Sequence, residues 1–366
     1  MQLPGLRAMS RLFSGRYRLV LLAGSVLVAI AAAGCSTVGY YAQSINGHFA
    51  MLRAARPIPE VVADPAVEES LKQRLQRAEQ IRTFASSELA LPDNQSYRSY
   101  ANLQRPFVVW NVFAAPELTL DLKQWCYPVV GCAVYRGYFD RDAADRMAEQ
   151  LRGEGYEVNV SGVPAYSTLG WFADPLLNTF IGGNEGQLAG LIFHELAHQV
   201  VFVGGDTTFN ESFATAVERE GVRRWLAKHG DDASRAAYAE YAQRRAQFLD
   251  LLLQYREALL QNYLSGLPAD AKRARKQQLF TMLKEDYGRL RATWGGFAGY
   301  DRFFSQDLNN AHLAAVAAYN DLVPAFDRLL MQNGGDFGRF YAQVQQLAAM
   351  PKEPRDDALR GMLTQR

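Results

Sequence analysis

The chain reads His194-Glu195-Leu196-Ala197-His198 and then, past a glycine-rich break, Asn210-Glu211-Ser212-Phe213-Ala214. Histidines four positions apart on a helix project from one face, so both rings can grip a single metal ion. Glu195 lies beside the first of them, where a carboxylate can take a proton from a metal-bound water. The second block offers Glu211 as a further ligand. Three protein ligands plus water is the open coordination of a catalytic zinc, as opposed to the closed cage of a structural one. The pattern therefore predicts one zinc ion and a hydrolase, with His194, His198 and Glu211 as ligands and Glu195 as general base.

The surroundings support a helix. From Gly186 onward Leu188, Leu191, Ile192 and Leu196 recur at helical spacing. A purely structural helix of this composition would bury two imidazoles and a carboxylate without evident partners, which is costly. Gly204-Gly205-Asp206 ends that helix and lets the chain reverse into a second one. Glu218 is a rival ligand on this second helix. Seven residues, roughly ten ångströms of rise, separate it from Glu211, so the two do not both point at one ion. Thr208-Phe-Asn-Glu211 also reads as a capping box, in which Glu211 would only bond back to the helix start.

The segments Tyr135–Phe139, Ala165-Tyr166-Ser-Thr-Leu-Gly-Trp-Phe-Ala-Asp-Pro175, Phe193–Gln199 and Gly205–Ala214, with Tyr40-Tyr41, together resemble the bacterial putative-aminopeptidase family of zinc-dependent lipoproteins. Asn210-Glu211 resembles the Asn-Glu-x-x-Ala element of glutamate-zincins, which favours Glu211 over Glu218. The resemblance implies a gluzincin-like zinc peptidase acting on peptides or proteins, with an amino-end preference. One departure stands out. Better-known gluzincins carry an aspartate four residues after the ligand glutamate, where this chain has Thr215, so the group that orients a ligand must come from elsewhere.

Residues 1–34 carry Arg7, Arg11, Arg16 and Arg18 and no acidic residue, and an apolar run from Leu19 to Ala33 ends at Ala32-Ala33-Gly34-Cys35. A basic start, an apolar stretch and small residues before a cysteine make a lipoprotein signal peptide, with Cys35 lipidated on cleavage. A transmembrane anchor is the alternative, but the run is short for one. Ser36, in place of the aspartate that retains lipoproteins in the inner membrane, implies an outer-membrane anchor facing the periplasm. An oxidising compartment in turn favours a disulfide between Cys126 and Cys132, across a turn containing Pro128 and Gly131.

Removal of the four arginines takes the formal charge from +1 to −3 for residues 35–366. With no basic tract, nucleic acid is not an expected partner; oligomeric state is not encoded in any pattern. At 49% apolar and 21% charged the body is ordinary globular material. The expected organisation is a signal peptide (1–34), a tether (35–63), an α/β zincin-like region (64–230) and a helical region (231–366) forming the far wall of a cleft. The fold class is thus α+β, predominantly helical. Asp64-Pro65 reads as a helix start, followed by a stripe of Leu71, Leu75, Ala78, Ile81 and Phe84. Phe107–Phe113, Leu118–Leu122, Val134–Phe139 and Tyr156–Val160 read as strands, with a helix from Asp140 to Leu151. Later helices are expected over Ser234–Leu264, Ala269–Trp294, Asn309–Met331 and Phe337–Ala349.

The tetrahedral oxyanion of peptide hydrolysis needs a donor besides the metal. Tyr166 is the first candidate, in a Gly/Ser/Trp-rich segment ahead of the metal helix, with His312 and Tyr319 as rivals. The Tyr166–Asp174 segment and the region around Asn310 and His312 are the expected cleft walls. An aminopeptidase also needs a carboxylate for the substrate amine, for which Glu185 is available, though as a helix-start acid it is equally explained by the helix dipole. An envelope endopeptidase, or a lipoprotein that uses the metal for scaffolding, are the alternative readings. His48 and His229 read as tether or surface residues.

Overall fold

A computed structural model describes residues 39–127, 131–318 and 321–364. The chain divides into two units, residues 1–50 and 51–366. What is described of the first, residues 39–50, is helical and belongs to α1 (residues 39–54). The second unit is α+β and predominantly helical, with its sheets before the metal helix and helices after it.

Strand β1 (Ala55–Pro57) leads into α2 (Ile58–Ala63) and the long α3 (Glu69–Leu89). The helix begins later than Asp64-Pro65 suggests. Asp64 accepts from the Ala66 amide with its side chain and from the Val67 amide with its carbonyl, a local turn that competes with helix. The predicted stripe is nevertheless the buried face: Leu75, Ala78, Ile81 and Phe84 are in the core, with Leu71 at its margin.

Three small sheets follow. β2 (Ser99–Ala101) lies between β1, antiparallel, and β8 (Leu176–Leu177), parallel. The principal sheet sets β3 (Val109–Pro116) between β6 (Arg136–Tyr138) and β7 (Tyr156–Val163), all antiparallel, with Val109 opposite Val163 and Pro116 opposite Tyr156. Helix α4 (Arg141–Gly153), close to the range expected, packs on it and is capped by Asp140. Leu118–Leu122 is not a strand. Its alternating leucines insert instead into the apolar seam of the later helices, beside Leu251 and Tyr263, because a helical groove accepts an extended segment's side chains as readily as a sheet face does. β4 (Trp125–Tyr127) and β5 (Gly131–Ala133) form a hairpin closed by the Cys126–Cys132 disulfide. That hairpin touches the turn between the metal helices: a Cβ on Gly131 would stand 2.8 Å from the Gly205 amide nitrogen.

Helix α5 (Glu185–His198) starts with a capping box, Asn184 accepting from the Gln187 amide and the Gln187 side chain from the Asn184 amide. The turn at Gly204-Gly205 then brings α6 (Thr207–His229) back alongside it. The two helices approach closely where Gly190 faces Glu218; a Cβ there would sit 3.1 Å from Glu218 Cγ. Beyond them come a long hairpin, α7 (Asp232–Leu264) and α8 (Ala269–Thr293), then the short α9 (Asp301–Phe304). The helix expected over Asn309–Met331 is two, α10 (Asn310–Ala318) and α11 (Val323–Gln332), with Pro324 in the first turn of the second, where its missing N–H costs nothing. α12 (Phe337–Ala348) and α13 (Lys352–Thr364) complete the chain's described part. The main core joins α3, α5 and α6 to α11, α12 and α13 through Phe193, Phe213, Trp225, Phe326 and Phe340.

One buried ion pair fastens the start of α6 to α13. Asp206 caps α6 by accepting from the Phe209 amide and meets the Arg355 guanidinium at 2.6 Å, both side chains being only 4% exposed. Asn caps a helix as well as Asp does, so Asp206→Asn removes the charge and spares the cap. It leaves Arg355 buried and unpaired, and should destabilise the protein by about 3–5 kcal/mol in a urea titration at neutral pH. Burial pushes the Asp206 carboxyl up, but Arg355 and Lys352 bring it below its ordinary range. The pair's contribution should accordingly be intact above about pH 4 and fade as pH falls through the depressed value.

Candidate metal centre

His194, Glu195 and His198 lie in the last three turns of α5, and Glu211 lies early in α6. The capping-box alternative for Glu211 is not what forms: the N-cap is Asp206, and Glu211 is one turn further in, free to face α5. Asn210, its neighbour, clamps the incoming turn by donating to the Val203 carbonyl and accepting from the Val203 amide, each at 2.8 Å. The adjacent carboxylate is thereby fixed against the metal helix.

The three expected ligands come together. His194 Nε2 is 3.2 Å from His198 Nε2 and 3.3 Å from Glu211 Oε2, and Glu211 Oε1 is 3.8 Å from His198 Nε2. Their ligand atoms all lie within 4.8 Å of one another, a group able to hold a metal ion. The donor set itself calls for a cation. With one ring protonated and the other neutral, a proton can lie between the two Nε2 atoms 3.2 Å apart, the place a metal ion held by the same atoms would take. Burial would deprotonate His194, yet the Glu211 and Glu218 carboxylates outweigh it and lift the ring to about 10, while burial drives His198 down to about 4. Glu211 and Glu218 both sit below their ordinary range despite burial. Without a metal the centre thus keeps one proton of its own, on His194 between two carboxylates and a neutral His198, where a bound cation could take its place.

Glu218 does not join the three. It accepts from His194 Nδ1 at 3.2 Å, on the far side of the same ring. A carboxylate on Nδ1 fixes the tautomer that turns the Nε2 lone pair to the metal. Glu218 thus stands where such an orienting group would have to be, one turn along α6 from Thr215. Arg245 of α7 stands 3.9 Å behind Glu218. Gly190, one turn ahead of His194, gives Glu218 its room.

Glu195 points from the same helix and is pushed up to about 7, chiefly by burial. Among the described residues no hydrogen bond holds its carboxylate. The Asn94–Tyr97 loop closes on this part of α5: Asn94 donates to Gln199 Oε1 at 2.7 Å, and Gln199 donates to Ser96 Oγ at 3.3 Å. Across from it runs the Ser167–Asp174 loop, pinned by Asp174, which accepts from the Thr168 amide and hydroxyl. Its tip exposes Phe172 and leaves Trp171 78% exposed. Gly170 lies against the Gln199 side chain, so the predicted cleft segment does border the end of the metal helix.

Other candidates fall elsewhere. Tyr166 packs edge-on against Phe139, ring centroids 5.1 Å apart, beside Leu177 and Val109. Asn310 is fully buried, donating to the carbonyls of Pro116, Glu117 and Thr119 and accepting from the Tyr263 hydroxyl. It ties α10 to the end of β3 and does not line a cleft. His312 is buried too, bonded to Asn309 and edge-on to Phe303. Glu185 is spent on Arg77 (2.6 Å) and the Trp225 indole (2.7 Å) at the opposite end of α5. It is therefore no receptor for a substrate amine. His48 is buried, not superficial, and His229 stacks on Trp225. Tyr319, residues 1–34 and Cys35 lie outside the described residues.

A family model described as "Putative aminopeptidase" matches residues 39–359, nearly the whole described chain and both metal helices. The chain belongs to this family. Membership supports a peptidase, a hydrolase of peptide bonds. No curated protein and no solved structure matches the chain.

Proposed function

We propose that this member of the aminopeptidase family is a zinc-dependent peptidase of the bacterial cell envelope, removing residues from the amino end of peptides. The convergence of His194, His198 and Glu211 beside Glu195 carries the reading. Zinc–ligand bonds of about 2.0–2.2 Å make a tetrahedron with edges of roughly 3.3–3.6 Å, and the ligand separations are 3.2, 3.3 and 3.8 Å. Calcium, with longer bonds and six or more oxygens, suits this set poorly. Zinc held there by His194, His198 and Glu211 would supply a Lewis acid able to polarise a scissile carbonyl and to make water acidic.

The chain's own residues do the rest. Glu195, with its proton affinity already near neutrality, accepts the proton of the attacking water and returns it to the leaving amine. Glu218 and Arg245 hold His194 in register. Tyr166 opens the loop bordering Gln199 but packs its ring on Phe139, so no oxyanion donor besides the metal is assigned to it. The exposed rings of Trp171 and Phe172 offer an apolar wall for substrate side chains. The test is metal analysis of the detergent-extracted full chain together with cleavage of a peptide library, half of it N-acetylated. Metal-dependent trimming of the free-amine peptides alone is the expected result. Cleavage of both halves would make the enzyme an endopeptidase, and a metal-loaded protein that cuts neither would overturn the peptidase reading in favour of a scaffold.

The envelope location rests on the Arg-rich, apolar and small-residue stretch ending at Ala32-Ala33-Gly34-Cys35. Among the described residues no helix is long and apolar enough to cross a membrane. Cys35→Ala should abolish labelling by a radioactive fatty acid and release the protein from outer-membrane fractions or leave residues 1–34 attached. Unchanged attachment with the leader retained would mean a transmembrane anchor.

A further inference from the structure

The hairpin closed by Cys126 and Cys132 meets the metal helices backbone to backbone. Its Gly131 faces the turn between α5 and α6 so closely that a Cβ would stand 2.8 Å from the Gly205 nitrogen and 3.0 Å from the Gly204 carbonyl carbon. From the other side, a Cβ on Gly205 would lie 3.7 Å from the Cys132 nitrogen. Both glycines are left-handed, with φ +76° and +82°. At Gly131 a side chain is thus excluded twice over, by space and by backbone conformation.

The turn it touches is the one that presents Glu211. The Asp206 amide donates to the Val203 carbonyl at 3.2 Å, closing a four-residue turn. Gly205 stands third in it, where a positive φ calls for glycine. The Asn210 side chain bonds both backbone polar groups of Val203, each at 2.8 Å, and Glu211 is the next residue. A displacement of Gly205 is therefore passed to Glu211 along a short, hydrogen-bonded path. Metal ligands must be held to within about 0.5 Å, so even a small displacement counts.

The disulfide is what closes the hairpin. β4 and β5 pair over three residues each, with Cys126 opposite Cys132, and two strands this short are marginal on their own in water. None of the hairpin's described residues is fully buried. Its two ends are rooted in β3: the Lys123 amide donates to the Ala114 carbonyl at 2.8 Å, and Arg136, three residues past β5, pairs with Val112. Closed by its cross-link, the hairpin is a strut from the principal sheet to the α5–α6 turn.

We propose that the Cys126–Cys132 hairpin is a positioning element for Glu211, so that the metal centre reaches full affinity only with the disulfide closed. The proposal rests on the reading of Glu211 as a ligand. A dithiol reductant opens the strut by giving up two electrons and two protons, becoming a disulfide itself while Cys126 and Cys132 become thiols. Gly205 then loses the backing that sets where α6 begins.

The experiment measures zinc affinity by chelator competition on the full chain. It compares the oxidised wild type, the reduced and alkylated wild type, and the Cys126→Ser/Cys132→Ser variant, the last two having no thiol there to capture metal. Affinity should fall about ten- to hundredfold in both, the range for groups that act through a ligand. Gly131→Ala, with the disulfide intact, should weaken zinc in the same direction by pressing on Gly205. With cobalt(II) in place of zinc, the visible absorption should change as well, since it follows ligand number and geometry and lower stability alone would not move it. In a Glu211→Gln background, loss of the disulfide should cost almost nothing further. Tyr263→Phe, which drops a hydroxyl bond to Asn310 in the far helices, should bind zinc as the wild type does. Unchanged affinity and cobalt spectrum without the disulfide would overturn the proposal, as would equal losses in both Glu211 backgrounds or an equal loss in Tyr263→Phe. If the serine variant fails to fold, the oxidised and alkylated wild-type proteins decide. If Glu211→Gln itself binds zinc fully, the ligand reading falls and this one with it; if only the hairpin proves silent, the ligand stands.

Discussion

Glu195→Gln is expected to bind zinc as the wild type does and to lose at least about two orders of magnitude of peptide hydrolysis, the contribution of a positioned general base. The substitution is close to isosteric and spares all three ligand atoms. Glutamine can still donate and accept hydrogen bonds in the same place, so the loss should reside in kcat with KM little changed. Burial among the carboxylates of Glu211, Asp174 and Glu218 already lifts Glu195 to about 7, although the charge on His194 pulls the other way. Such a carboxylate would be matched to the proposed task, since proton transfer is most efficient when the group's affinity lies near the operating pH. Metal content and turnover measured on the same preparation check the prediction. Near-normal turnover in a fully loaded variant would remove Glu195 from the mechanism.

The core of this site was legible because its grammar is local. Two histidines one turn apart and a glutamate between them need only a helix, and the apolar spacing of Leu188, Ile192 and Leu196 announces one. The partner helix was legible through Gly204-Gly205, and the long α7–α8 hairpin through its length and the Gly-Leu-Pro break. What periodicity could not show is where an apolar segment finds its partner. Leu118–Leu122 alternates as a strand does, yet its leucines enter the α7–α8 seam. Asn310 looked like a cleft residue because a polar side chain at a helix start has no fixed address in sequence; in the fold it holds three carbonyls. Glu218 had a signal that admitted two readings. Seven residues from Glu211 places both on one face of α6, which is equally the spacing of a rival ligand and of an orienting group.

The fold separates those two readings, and a pair of substitutions turns the separation into numbers. Glu211 faces the Nε2 atoms of both histidines, whereas Glu218 touches only the opposite nitrogen of His194. Glu211→Gln exchanges an anionic ligand for a neutral amide at a buried dication. Several kcal/mol of attraction are lost, or roughly a thousandfold and more in affinity, so the protein should come through purification without zinc. Glu218→Gln keeps all three ligands and still offers an oxygen to the Nδ1 proton, but withdraws the charge that makes His194 a strong donor to metal. Its affinity should fall by about ten- to hundredfold, the range for residues behind the ligands, with residual activity restored at saturating zinc. Competition titrations against a chelator of known affinity measure both. The order of the two effects is the decisive quantity, because each carboxylate lies against the same imidazole and general disruption would weaken them alike. Should Glu218→Gln lose the metal and Glu211→Gln retain it, Glu218 would be the ligand, and the ring of His194 would have to turn over to meet it.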